Sequence, residues 1–211
     1  PARPTHNVLQ AYDFSDAMVM HFFRPFLSGV FLETELRTPC WIFELVWAAF
    51  CRGVTALPRD GMGAIAQQLA ATLPPGTIRL NHAVQQIRGA SVVLESGEQL
   101  AADVLVVATD DATAALLRGE RIPRALARGS VTLYFDAPAA PQRGPWLMMN
   151  GEGDGVVRTV CVLNEAAPSY APPGRALISV TATEQIGAHD DLVQAVRLFL
   201  QSWFGSQVNG W

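Results

Sequence analysis

The stretch ADVLVVATD (residues 102–110) holds an unbroken apolar run from Val104 to Val107. A run of this length, bounded by charged residues, is the mark of a strand buried on both faces. Such a strand belongs inside a larger layered sheet. The chain around it supplies one or two strands of this kind, and the βαβ repeats that would build their neighbours are missing. The fold question is therefore what stands beside residues 104–107.

Upstream, the period is two. TIRLN (77–81) alternates Ile78 and Leu80 with polar residues, HAVQQI (82–87) places Val84 and Ile87 at apolar positions, and SVVLESGEQLAAD (91–103) reads as a hairpin turning at Ser96-Gly97. Before these, DGMGAIAQQL (60–69) sets two close glycines at the head of a helix. A dinucleotide fingerprint would need a third glycine at Ala66 and a buried strand where Pro58 stands, so the reading is a turn at 58–61, Asp60 as N-cap and a helix ending at Pro74-Pro75-Gly76.

The first 53 residues are helical and aromatic. SDAMVMHFFRPFLSGVFL (15–32) predicts a helix from Ser15 that is interrupted at Pro25. TPCWIFELVWAAFCRG (38–53) predicts a second, capped by Thr38 with Pro39 at its first position and closed by Gly53. Its apolar residues lie nearly all round, which places it in the core or along an apolar cavity. Downstream of Asp111 a short helix is followed by four alternating segments, SVTLYFDAP, PWLMMNG, GVVRTVCVLNE and GRALISVTAT, divided by Pro/Gly loops. They predict a mostly antiparallel sheet. A final helix, 190–205, lines up Leu192, Val196, Phe199, Leu200 and Trp203.

Composition narrows the functions. The chain has 211 residues, half of them hydrophobic, and a formal net charge of -4. All fifteen basic residues are arginine and none forms a stripe, which argues against nucleic acid as a partner. Cys40, Cys51 and Cys161 form no Cys-x-x-Cys pair and the four histidines lack ligand spacing, so no metal site is expected and a reducing, cytoplasmic setting is. The most apolar run, PCWIFELVWAAFC, is too short to span a bilayer and carries Glu44, while peripheral membrane contact stays open. A chain that starts PARP and stops at VNGW reads as a piece of something longer.

The segment series from Leu57 to Asp110 resembles the FAD-dependent amine oxidase and phytoene desaturase-like superfamily, and FFRPFLSGVFLETEL (22–36) is similar to its phytoene dehydrogenase-like branch. The resemblance implies an α+β chain: a substrate domain of mostly antiparallel sheet flanked by helices, with an inserted β-hairpin and strand that belong to an incomplete FAD-binding domain. It divides the chain into 1–75, the helical part of the substrate domain; 76–111, strands of the FAD-binding domain; and 112–211, the sheet and helix of the substrate domain. It implies that Val84 offers its backbone to the adenine, that Ala108 and Thr109 pass close to the cofactor, and that Gly61-Met62 faces the flavin from the substrate side. No catalytic residue is implied.

The resulting expectation is a central portion of an FAD-dependent oxidoreductase acting on a small apolar molecule, with FAD bound by the parent protein and not by this piece alone. Two other readings stand beside it. One is an inert fragment that self-associates through exposed apolar faces; the other is a binding module for an apolar ligand.

Overall fold

The computed structural model describes residues 3–121, 129–153, 155–183 and 189–211. It is an α+β chain whose strands form two separate antiparallel sheets. The chain divides into two compact units, Pro1–Ile65 with Arg128–Trp211, and Ala66–Ala127.

The larger unit is built on a four-stranded sheet. Its strands are β4 (Ser130–Ala137), β5 (Leu147–Met149), β6 (Val157–Val162) and β7 (Ala176–Thr183), in the order β4-β7-β6-β5. β7 is central and pairs along its whole length with β4, from Ser130↔Thr183 to Ala137↔Ala176. Every second residue of β7, Ala176, Ile178, Val180 and Ala182, is buried on one face. Helix α8 (His189–Phe204) lays Leu192, Val196 and Leu200 on that face, as its spacing predicts. The opposite face of β6 meets helix α3 (Arg24–Phe31), where a Cβ on Gly29 would stand 4.0 Å from the Thr159 methyl. The sheet is therefore covered by helices on both sides.

The N-terminal helices form a second apolar cluster. Helix α1 (Thr5–Ala11) and helix α4 (Cys40–Arg52) contribute Leu9 and Phe43 to a group with Phe23, Phe26, Leu27, Phe31 and Leu36. Two expectations change here. Pro25 does not interrupt the helix. Helix α2 (Asp16–Met18), capped by Ser15, continues through a π-helical turn, Val19–Phe23, into α3. Proline lacks the N–H that would bond the carbonyl four residues back, and the chain absorbs the loss by widening the preceding turn. Thr38 does not cap α4 either. The helix starts at Cys40 behind Pro39, and the Thr38 N–H and hydroxyl both donate to Glu33 Oε1, at 2.9 and 3.0 Å. Nor is α4 enclosed: Phe43 is its buried residue, whereas Trp41, Leu45 and Phe50 are exposed.

The smaller unit holds a meander of β1 (Val84–Arg88), β2 (Ser91–Leu94) and β3 (Gln99–Ala101), with helix α5 (Gly63–Ala71) before it and α6 (Asp111–Leu117) after it. The hairpin turns at Gly97, whose φ of +87° suits glycine, and Leu94 exchanges bonds with the turn, donating to Glu98 O and accepting from Gly97 N. Helix α5 begins at Gly63, so Asp60 stands outside it in place of capping it. The buried residues of this unit, among those described, are Val93, Leu94, Ala114 and Ala115.

The predicted strands at 77–81 and 104–107 do not form. Neither segment pairs with another strand among the described residues: Thr77, Asn81, Asp103 and Val104 are bends, Ile78 and Leu80 are exposed, and Val104 and Val106 stand at 78% and 79% exposure. A strand apolar on both faces needs neighbours on both edges, and none of the described residues provides them.

Replacing Ile178 by Ala, at the centre of the sheet, is expected to cost about 2–5 kcal/mol in urea unfolding of the chain, whereas Leu198→Ala on the outer side of α8 is expected to stay within about 0.5 kcal/mol.

Candidate functional site

The residues expected to face a nucleotide fall in both units. Gly61 and Met62 belong to the larger one. The turn Pro58-Arg59-Asp60-Gly61 closes with Gly61 N–H donating to Pro58 O at 3.1 Å, and Gly61 takes a φ of +84°. Two side chains from the short 3₁₀ segment Pro168–Tyr170 hold this turn. Tyr170 Oη donates to Pro58 O at 3.0 Å, and Ser169 Oγ donates to Arg59 O. Arg59, Asp60, Gly61, Ser169 and Tyr170 together line a cleft of about 410 Å³. Met62 follows it and is largely exposed.

Ser169 and Tyr170 escaped the sequence reading because they lie more than a hundred residues from the turn. Their contacts are to backbone carbonyls, which leave no trace in the residue types around Gly61. The one available signal was the Pro-Ser-Tyr sequence between two strands, a short polar loop with an aromatic donor.

Val84, Ala108 and Thr109 belong to the smaller unit. Val84 opens β1 opposite Leu94, half-buried, and the ladder is irregular between Val84 and Gln86. β1 is an edge strand, so its outer backbone groups face away from the meander. Ala108 and Thr109 are exposed, at the end of the unpaired 103–108 segment. Asp110 then caps α6: the Thr113 N–H donates to Oδ1 at 2.9 Å and the Thr113 hydroxyl to Oδ2 at 2.6 Å. These bonds favour the ionised carboxylate and hold its pKa below the ordinary aspartate value.

Burial raises the pKa of the Cys161 thiol, in β6, which suits an inert structural role. No group of three His, Cys, Asp or Glu among the described residues is placed to hold a metal ion. No helix among them is long and apolar enough to cross a membrane.

An antiparallel sheet covered by helices, joined in sequence to a small antiparallel meander, defines an α+β chain. Residues 4–211 match the flavin containing amine oxidoreductase family, and the chain belongs to it. Among solved structures, a protein from Pyrococcus furiosus is similar at a TM-score of 0.79 and 15% identity, over 97% of this chain and 55% of that one. An oxidoreductase from Methanosarcina mazei is similar at a TM-score of 0.68 and 15% identity, over 99% of this chain and 53% of that one. The chain thus spans about half the length of the structures it matches. No curated protein matches it.

The family uses flavin, and the residues present can be tested against that group. A dinucleotide needs backbone N–H groups at a helix start, approached from a strand and enclosed by it. The two glycines at the start of α5 follow an irregular segment, residues 54–58, and a Cβ on Gly61 or Gly63 would meet nothing within 4 Å. The described residues do not fit the diphosphate of FAD.

Two expected outcomes follow from this geometry. Gly61→Ala forces a side chain onto positive φ and is expected to lose about 1 kcal/mol of stability by urea unfolding despite the open space beside it. The Asp110 cap has a lowered folded pKa, so its contribution is complete above the unfolded value, about pH 3.9, and disappears as pH falls through the folded one. Amide protection in α6 is therefore expected to be weaker in Asp110→Ala than in the parent chain near neutral pH, and the two should converge in acid.

Proposed function

We propose that this chain is the substrate-domain portion of an FAD-dependent oxidoreductase, together with the inserted strands of its flavin-binding domain. On this reading residues 1–75 and 112–211 serve the substrate and residues 76–111 serve the flavin domain. The observation that carries it is the apolar run Val104–Val107, unpaired among the described residues, in a chain of a flavin family. It has the pattern of an interior strand, which needs sheet neighbours from other residues.

FAD, when bound, would supply the redox chemistry by accepting hydride or electrons. The part assigned to this chain is to bind and orient. The Gly61-Met62 turn, fixed by Ser169 and Tyr170, presents a backbone corner beside its cleft; the contacts of Val84, Ala108 and Thr109 with the cofactor rest on the resemblance to the family. The aromatic cluster of Phe22, Phe23, Phe26, Phe43 and Trp47 supports an apolar substrate of isoprenoid or carotenoid-like character over a small amine. Nucleic acid is not a partner on this reading, and the setting is cytoplasmic, with peripheral membrane contact compatible with the exposed α4 face.

A second reading rests on the exposed apolar residues of that helix. With Trp41, Leu45 and Phe50 exposed, the chain by itself is an inert piece that self-associates.

Visible absorption separates chain from parent. After incubation with excess FAD and desalting, the 211-residue chain is expected to retain no flavin. Retention near one FAD per chain would overturn the assignment and make Gly61 and Gly63 the first residues to mutate.

A further inference from the structure

Two arginines on opposite elements of the larger unit are left with buried, unbonded donors. Arg24 opens α3, directly after the π-helical turn, and Arg158 is the second residue of β6. The Nε of each is buried and has no hydrogen-bond partner. The ion pairs among the described residues join other arginines, and Arg24 makes no hydrogen bond among them either. The single side-chain bond of Arg158 is a long one, Nη1 to Gly153 O at 3.4 Å. Buried donors are normally satisfied, and a guanidinium cannot shed its charge to escape the cost.

The local backbone is built to hold this pair in place. The widened turn before Pro25 carries His21, whose Nδ1 lies 2.8 Å from Gly151 O in the β5–β6 turn. Gly151 is itself tight against the helix, since a Cβ there would come within 3.3 Å of His21 O. Asn150, almost fully buried, closes the same turn by donating to Val157 O at 3.1 Å and accepting from Gly153 N–H at 3.3 Å. The π-turn and the β5–β6 turn thus fasten Arg24 and Arg158 to the two walls of one cavity.

That cavity has a volume of about 320 Å³ and is lined also by Met20, Ser28, Thr34 and Glu152. It shares Ser28, Thr34 and Arg158 with an adjoining cavity of about 310 Å³. Among the described residues no carboxylate forms an ion pair with Arg24 or Arg158. Glu152 is exposed and forms no ion pair with either arginine, and Glu33, which lines the adjoining cavity, has its Oε1 taken by Thr38. The Ser28 hydroxyl donates to Pro25 O.

We propose that Arg24 and Arg158 form a binding site for an oxyanion, the carboxylate or phosphate group of a small molecule. Guanidinium forks match both groups bidentately, and an anion between the two walls would take up the Nε donor that each arginine leaves unbonded. The volume admits a small anion with a short apolar stem at Met20 and excludes a dinucleotide. This site stands apart from the Gly61 turn and does not depend on the flavin reading.

The test is thermal-shift and calorimetric titration of the full chain with inorganic phosphate and with acetate, at ionic strength matched by chloride. Saturable binding of at least one probe is expected, weakened about tenfold or more in Arg24→Gln and in Arg158→Gln and unchanged in Arg143→Gln at an exposed site. Saturation by phosphate alone assigns a phosphate-bearing ligand; saturation by acetate alone assigns a carboxylate. If a Gln variant does not fold, Arg24→Lys and Arg158→Lys keep the charge and lose the fork, and weaker binding is expected in each. The proposal is overturned if neither probe saturates beyond chloride, or if binding is unchanged in the variants at both positions.

Discussion

Backbone pairing along β7 is the constraint on which the larger unit depends. The strand is bonded on both edges, to β4 and β6, and the side chains on its buried face, Ala176, Ile178, Val180 and Ala182, meet α8. Once those bonds are made, Leu192, Val196 and Leu200 have a dry surface to cover, and α3 has the other face of β6 to rest on. The same requirement operates in reverse in the smaller unit. There, Val104–Val107 has interior-strand composition without described neighbours to pair with, and Val104 and Val106 remain wet. One rule, that an apolar strand needs neighbours before it can be buried, explains both the sheet that forms and the strands that do not.

Proline and glycine act on this frame through backbone donors and left-handed φ. Pro25 withdraws one helical N–H, and the response is a π-turn that carries His21 to the β5–β6 turn and sets Arg24 toward the cavity it shares with Arg158. Gly61 supplies the positive φ that closes the turn on Pro58, Tyr170 adds a second donor to the Pro58 carbonyl, and Ser169 donates to the Arg59 carbonyl. In both places a local backbone departure positions groups that are distant in sequence. Such departures recur at functional sites because they aim side chains that regular structure would not.

What was legible came from periodicity and turn chemistry. The alternation at 130–183 placed four antiparallel strands, the i, i+4 spacing of Leu192, Val196 and Leu200 identified the face of α8, and Ser96-Gly97 marked the hairpin. The colinear series from Leu57 to Asp110 placed the chain in its family. The failures were equally physical. Composition marks α4 as apolar all round but does not say what covers it, and the Val104–Val107 run states a need for partners without supplying them. Thr38 looked like a cap because its neighbours fit one, yet Glu33 competes for the same donors.

The sequence by itself determined the antiparallel sheet and the packing face of α8, because each is written in the period of side chains along one segment, and the colinear order of its segments carried the resemblance to the family and its α+β fold. Tertiary structure alone decided that Ser169 and Tyr170 hold the Gly61 turn and that Arg24 and Arg158 share a cavity. Those pairings join residues more than a hundred positions apart through backbone carbonyls and a packed helix–sheet contact. No spacing rule along the chain encodes them.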